Sequence, residues 1–157
     1  MASQNLYKLG DTKKQAMTKV MVFGTFDFVH PGHINFFQQA RQHGDKLVVV
    51  IARDSTAEKI KGKKPTFSEQ DRLQMVQALR IVDKAVMGYP GDVYRIVREE
   101  NPEVICLGYD QKTFADKLPD KLKELGMKAR IFRLEPYMPE QYKSTIIRKA
   151  IAREPSQ

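Results

Sequence analysis

Three short apolar runs constrain this chain most: Val20-Met21-Val22-Phe23, Leu47-Val48-Val49-Val50-Ile51-Ala52 and Val104-Ile105-Cys106-Leu107. None alternates with polar residues, so each reads as a strand buried on both faces. Weaker runs at 85–87 and 129–134 complete a set of five. Stretches with helical spacing fall between them, at 31–43, 68–80, 92–100 and about 113–125, and a final one covers 144–152. A shorter helical stretch precedes Lys59. This alternation predicts an α/β fold, a Rossmann-like three-layer sandwich around a five-stranded parallel sheet. Such sheets bind ligands beyond the carboxyl ends of their strands, where the strand order reverses.

Local signals mark several boundaries. Gly44 reads as a left-handed stop for the first helix. Ser68, followed by Glu69 and Asp71, reads as an N-cap with an acidic first turn, and Asp92 reads as the cap of the helix after it.

The length of 157 residues suits one domain. Residues 19–152 are assigned to it. Residues 1–18 read as a polar, lysine-containing arm or extension in which Met17 suits an internal start, and 153–157 as a tail. The only cysteine, Cys106, excludes an internal disulfide and reads as a packed thiol. The absence of a bilayer-length apolar run or a leader-like start makes the cytoplasm the expected compartment, with no membrane partner. Net charge is +8, of which residues 1–19 supply +3 and Lys59, Lys61, Lys63 and Lys64 most of the remainder. Charge gathered in this way suits a polyphosphate site. A nucleic-acid face would spread it and interleave aromatic platforms, which are missing here, so no nucleic-acid partner is expected.

The segment from Gly24 to His33 carries the chemistry. It follows the first apolar run and leads through Pro31, a residue suited to the first helical position, into a helix. A strand–turn–helix unit gathers free backbone N–H groups and the positive end of a helix dipole, which attract phosphate. His30 and His33, three residues apart, are neighbours on one helix face. A phosphate seated there would meet backbone and imidazole donors together. A structural zinc site would need four closed ligands, which one cysteine and these residues do not supply, so no metal ligands are assigned.

Gly24-Thr25-Phe26-Asp27 followed by His30-Pro31-Gly32-His33 resembles the signature of the cytidylyltransferase-like nucleotidyltransferases. Eight positions of fixed type fall within ten residues at one strand–helix junction. The resemblance implies transfer of a nucleoside monophosphate from a triphosphate to an acceptor phosphate, with release of pyrophosphate. It implies nucleotide contacts at Gly24, Thr25, Phe26, Asp27 and Gly32, and catalytic roles for His30 and His33. Asp27 either meets the nucleotide or fixes the loop or a histidine.

Further segments extend it. In Lys59-Ile60-Lys61-Gly62-Lys63-Lys64-Pro65, Lys61 best matches the family lysine that neutralises the triphosphate, with Lys59 or Lys63 next. Glu69-Gln70-Asp71-Arg72 resembles a Glu-x-x-Arg element in which Arg72 turns its planar fork to phosphate oxygens. Arg80-Ile81-Val82-Asp83 resembles a dimer-interface segment, implying a homodimer. Asp110, in Leu107-Gly108-Tyr109-Asp110-Gln111, matches an aspartate that helps bind nucleotide or acceptor. Ser144 and Thr145 match a Ser/Thr pair at a helix start that grips the triphosphate. Taken in order, these segments are most similar to the archaeal-type FAD synthases, which join FMN to the AMP part of ATP. The implied partners are ATP or CTP, with FMN or a small phosphorylated alcohol such as glycerol 3-phosphate as acceptor. The implied cofactor is Mg²⁺, or another divalent cation, carried with the triphosphate. Cytidylyltransferases for glycerol phosphate or choline phosphate carry Arg-Thr-Glu-Gly before the Ser/Thr pair. This chain has Met138-Pro139-Glu140-Gln141-Tyr142-Lys143 there.

Overall fold

The structure, a computed structural model, describes residues 16–153. Most of the expected arm, residues 1–15, and the tail at 154–157 lie outside the described residues. The elements run β1 (Lys19–Gly24), α1 (Pro31–Arg41), β2 (Lys46–Ile51), α2 (Asp54–Lys61), α3 (Glu69–Gln77), β3 (Lys84–Met87), α4 (Arg95–Glu100), β4 (Val104–Leu107), α5 (Thr113–Glu124), β5 (Arg130–Arg133) and α6 (Ser144–Arg153). All strand pairs are parallel, in the order β3-β2-β1-β4-β5. The chain builds outward from β1 on one side, then returns to build outward from β4 on the other. The reversal therefore lies between the carboxyl ends of β1 and β4, where a crevice opens.

Strand periodicity divides the core into two layers. Val20 and Val22 of β1 face α1 and α3, meeting Phe37, Ala40 and Val76. Met21, between them, faces α4 and α5, meeting Ile96, Val97 and Leu118. Each central strand feeds both layers, which is why its run is apolar at every position. Cys106 is buried in the first layer, and burial raises its thiol pKa to about 12, so it is packing rather than a nucleophile at neutral pH.

The expected boundaries hold to within a few residues, with one difference in kind. Helix α1 ends at Arg41 with Gln42 in right-handed conformation, and Gly44 has no positive φ. A Cβ at Gly44 would lie 2.6 Å from both the Thr18 carbonyl oxygen and Val20 Cγ2. Close approach to the start of β1, not a left-handed cap, is what requires glycine there. Ser68 caps α3 as expected, its Oγ accepting the Asp71 N–H at 3.2 Å. Asp92 caps the turn that enters α4, its Oδ1 accepting from the N–H groups of Tyr94 and Arg95. The chain is already anchored at Thr18, inside the expected arm, since its N–H donates to Asp45. No helix among the described residues is long and apolar enough to cross a membrane.

Candidate active site

Both histidines stand at the mouth of α1, beside the reversal point. Their rings stack with centroids 3.8 Å apart. Together they cap the helix: His30 Nδ1 accepts the Gly32 N–H at 3.1 Å, and His33 Nδ1 accepts the His30 N–H at 3.3 Å. A nitrogen that accepts carries no proton, so each neutral ring keeps its proton on Nε2. Burial lowers the pKa of His30. Burial, aided by the charges of His30 and Lys61, lowers that of His33 to about 3, while the Phe28 backbone pulls the other way. Both rings are therefore neutral at pH 7 and offer Nε2–H as a hydrogen-bond donor.

Gly24 and Phe26 support this pair. Phe26 has φ 53°, a left-handed conformation rare for a bulky residue, and its ring folds back over Gly24. A Cβ on Gly24 would fall 2.5 Å from that ring. Phe26 is buried edge-on against His33 and also meets Phe37. The expectation for Phe26 is a nucleotide contact; its side chain is buried as a buttress behind the His33 ring. Gly32 has His30 and Tyr142 so close that a side chain could not be added without displacing them.

Asp27 is buried and ties three segments together. Its carboxylate accepts the N–H groups of Thr66 and Phe67, at 2.8 and 2.9 Å, and pairs with Arg148 of α6. Burial pushes its pKa up, but these N–H donors and Arg148 outweigh that and hold it below the usual carboxylate value. Of the alternatives open for Asp27, the geometry favours fixing the loop. A narrow cleft beside it is lined by Thr25, Asp27, Lys61, Lys63, Lys64 and Arg148. Desolvation lowers the Lys61 pKa, against the pull of Asp110 and Asp27. Lys61, Thr25 and Asp110 thus belong to one neighbourhood, and Lys59 is not among the lining residues.

Arg72 departs from expectation. It is wholly buried, and four of its five N–H donors are spent inside the protein, on the carbonyls of Phe67, Thr25 and Ala52 and on Asp54. A guanidinium so engaged latches the β1 turn to the β2 end and α3. It does not present a fork to phosphate.

The loop after β4 is braced by Gln111, which accepts the Gly108 N–H and donates to the Phe23 carbonyl, and by Arg133. This holds Asp110, exposed, at the carboxyl edge of the crevice. Ser144 is not the N-cap of α6. The Lys143 carbonyl accepts the first helical N–H, that of Ile147, so Ser144 and Thr145 are the first two helical residues. Sequence reasoning missed Arg148. Its Nε is buried and without a hydrogen-bond partner among the described residues. The signal was its place four residues after Ser144, on the same helix face.

A larger hollow of about 490 Å³ opens beside His30, lined also by Val29, Pro31, Ile34, Asn35, Gln38 and Tyr137. No group of three metal-ligating side chains occurs among the described residues. Asp27, the one buried carboxylate at the cleft, is already saturated. Such a donor set suits a divalent ion that arrives coordinated by phosphates, as Mg²⁺ characteristically is.

The chain matches the cytidylyltransferase-like family over residues 21–150. It is 42% identical over 135 residues to the FAD synthase of Thermoplasma volcanium, a match covering 86% of this chain and 94% of that one. It is 45% identical over 121 residues to the FAD synthase of Aciduliprofundum boonei, covering 77% and 80%. A crystal structure described as the lipopolysaccharide core biosynthesis protein from Thermoplasma volcanium superposes with a TM-score of 0.73 at 44% identity, over 77% of this chain and 98% of that one.

Proposed function

The chain belongs to the cytidylyltransferase-like family, and from that premise we propose that it is an FMN adenylyltransferase, joining the AMP part of ATP to FMN to give FAD and pyrophosphate. The observation that carries this reading is the locked pair of neutral imidazoles beside a basic cleft, in a chain this similar to FAD synthases over most of its length.

The FMN phosphate is ionised at neutral pH, so the nucleophile needs no strong general base. One of its oxygens attacks the α-phosphorus of ATP in line. The new P–O bond forms as the bond to the β-phosphate bridging oxygen breaks, and pyrophosphate leaves with that electron pair. Positioning and charge neutralisation then supply the catalysis. His30 and His33 donate through Nε2–H to oxygens of the transferred phosphoryl group, neutral and already oriented by their Nδ1 contacts. Lys61, with Lys63 and Lys64, offsets the charge on the leaving pyrophosphate. Ser144, Thr145 and the first turn of α6 hold its far end, and a phosphate oxygen there gives the orphaned Arg148 Nε an acceptor. Asp110 contacts the nucleotide or the acceptor. Carried in with the nucleotide, a divalent cation such as Mg²⁺ would supply further charge neutralisation.

The cytoplasm is the compartment this reading implies. It includes a homodimer through the Arg80–Asp83 segment, which sedimentation at working concentration tests. The activity is tested by incubating the protein with Mg²⁺ and either ATP or CTP, against FMN, glycerol 3-phosphate and choline phosphate. FAD from ATP and FMN is the expected product. A cytidylyl ester of a small alcohol phosphate, with no FAD, would reverse the assignment.

A further inference from the structure

We infer that the hollow beside His30 seats the flat tricyclic ring of the acceptor, with Tyr137 as the face it stacks on. The inference rests on the FMN reading above and assigns that substrate a place.

In-line displacement sets the direction. Pyrophosphate must depart on one side of the α-phosphorus and the nucleophile must enter from the opposite side. The basic cleft, with Lys61, Lys63, Lys64 and Arg148, is the side suited to the departing polyanion. The hollow shares no lining residue with that cleft, yet it includes His30, one of the two imidazoles assigned to the transferred group. A ligand lying in the hollow therefore has one end beside His30 without passing through the cleft.

The lining matches a large, flat, partly polar ring. Pro31, Ile34, Asn35 and Gln38 follow helical spacing and form one face of α1, so the floor is rigid. Val29, Pro31 and Ile34 make it apolar. Asn35 already accepts a hydrogen bond from Gln39, which leaves its amide N–H₂ to donate, and Gln38 is exposed at the rim. Amides of this kind complement the carbonyl and imide edge of a flavin. At about 490 Å³ the hollow is in the range of small-molecule sites and larger than a bicyclic base needs.

Tyr137 supplies the stacking surface. It is 42% exposed, yet its ring is aligned: it lies parallel to Tyr142, at 5.9 Å and 5°, and Tyr142 lies nearly parallel to His30, at 6.4 Å and 19°. An exposed aromatic held in register with the catalytic imidazole is poised for a planar partner.

The test uses the full-length protein. Tyr137→Ala and Gln38→Trp are assayed for FAD formation, with KM measured separately for FMN and ATP, and FMN binding is followed by quenching of flavin fluorescence without ATP. Tyr137→Ala removes the stacking face. Gln38→Trp, at an exposed helix position where folding is safe, fills the hollow. Each should raise the KM for FMN and weaken the fluorescence titration at least tenfold, with the KM for ATP within twofold of the parent. A rise in the KM for ATP alone would give the hollow to the adenine ring and overturn the inference. Unchanged KM for FMN in both variants, with the parent making FAD, would overturn the inference and leave the activity standing. A parent that makes no FAD overturns both.

Discussion

Each imidazole at the mouth of α1 uses its two nitrogens for different ends. Nδ1 builds the helix start, and Nε2–H is the donor we propose for the transferred phosphoryl group. His33→Ala should lower kcat by roughly 10²–10³, the loss typical for removing one preorganised donor. It should cost only about 1 kcal/mol of stability, the worth of a cap; a thermal melt beside steady-state kinetics separates the two. The low His33 pKa also has a sign. The folded ring titrates at about 3 and the unfolded one near 6.5, so between these values the unfolded chain binds more protons. Its contribution to stability is complete above 6.5 and is lost as pH falls toward 3. Urea titrations across that window should show a shallower loss in His33→Gln than in the parent. Arg72 makes the opposite case. Its removal should cost about 3 kcal/mol or more, because Asp54 and three carbonyls lose a buried partner. A variant with unchanged urea midpoint and a raised KM for ATP would restore the phosphate role. The histidines were legible because their spacing, the proline and the glycine turn are local signals. Arg72 was not, because its partners beyond Phe67 come from two distant segments, and neither was the left-handed fold-back of Phe26.

At the level of elements, the strands were legible because burial on both faces leaves an unbroken apolar run, a signal that survives without knowledge of neighbours. Ends governed by one side chain, as at Ser68, were legible for the same reason. Gly44 was misjudged because a glycine after a helix has two uses, backbone conformation and close approach, and only the position of β1 tells them apart. The distinction is testable. Gly44→Ala places a methyl 2.6 Å from a carbonyl oxygen in a rigid strand start, so it should destabilise by about 1–3 kcal/mol, the usual range for overpacking. Were left-handed conformation the reason, Gly44→Asn would be tolerated; denaturant midpoints should instead show Asn worse than Ala. The start of α6 at Ser144 agrees with the expected one, but what closes it is different. Ser144 has the chemistry of a cap, but the Lys143 carbonyl already closes the first turn.

For the whole molecule, the strand order β3-β2-β1-β4-β5 opens a crevice but does not close it, and three segments from across the chain must be drawn over it. Asp27 draws them. From the β1 turn it holds the lysine loop through Thr66 and Phe67 and α6 through Arg148. α6 has no fully buried residue of its own, and Arg148 anchors it through this ion pair and its place over the Phe28 ring. Asp27→Asn should therefore leave the sheet intact while the Thr66 and Phe67 amides lose hydrogen-exchange protection together with residues 144–153. The KM for ATP should rise at least tenfold, because Lys61 and Arg148, which we propose meet the phosphates, line the cleft from the two segments set free. Acid should mimic the substitution. A carboxyl held below its ordinary value of 3.8 contributes its stabilisation above that value and loses it as pH falls through the lowered one. Protection factors, which are corrected for the intrinsic pH dependence of exchange, should thus fall in both segments of the parent below about pH 4 and stay constant over that range in Asp27→Asn. If the variant keeps both segments protected, α6 is held by contacts other than this carboxylate, and the clamp is not what assembles the cleft.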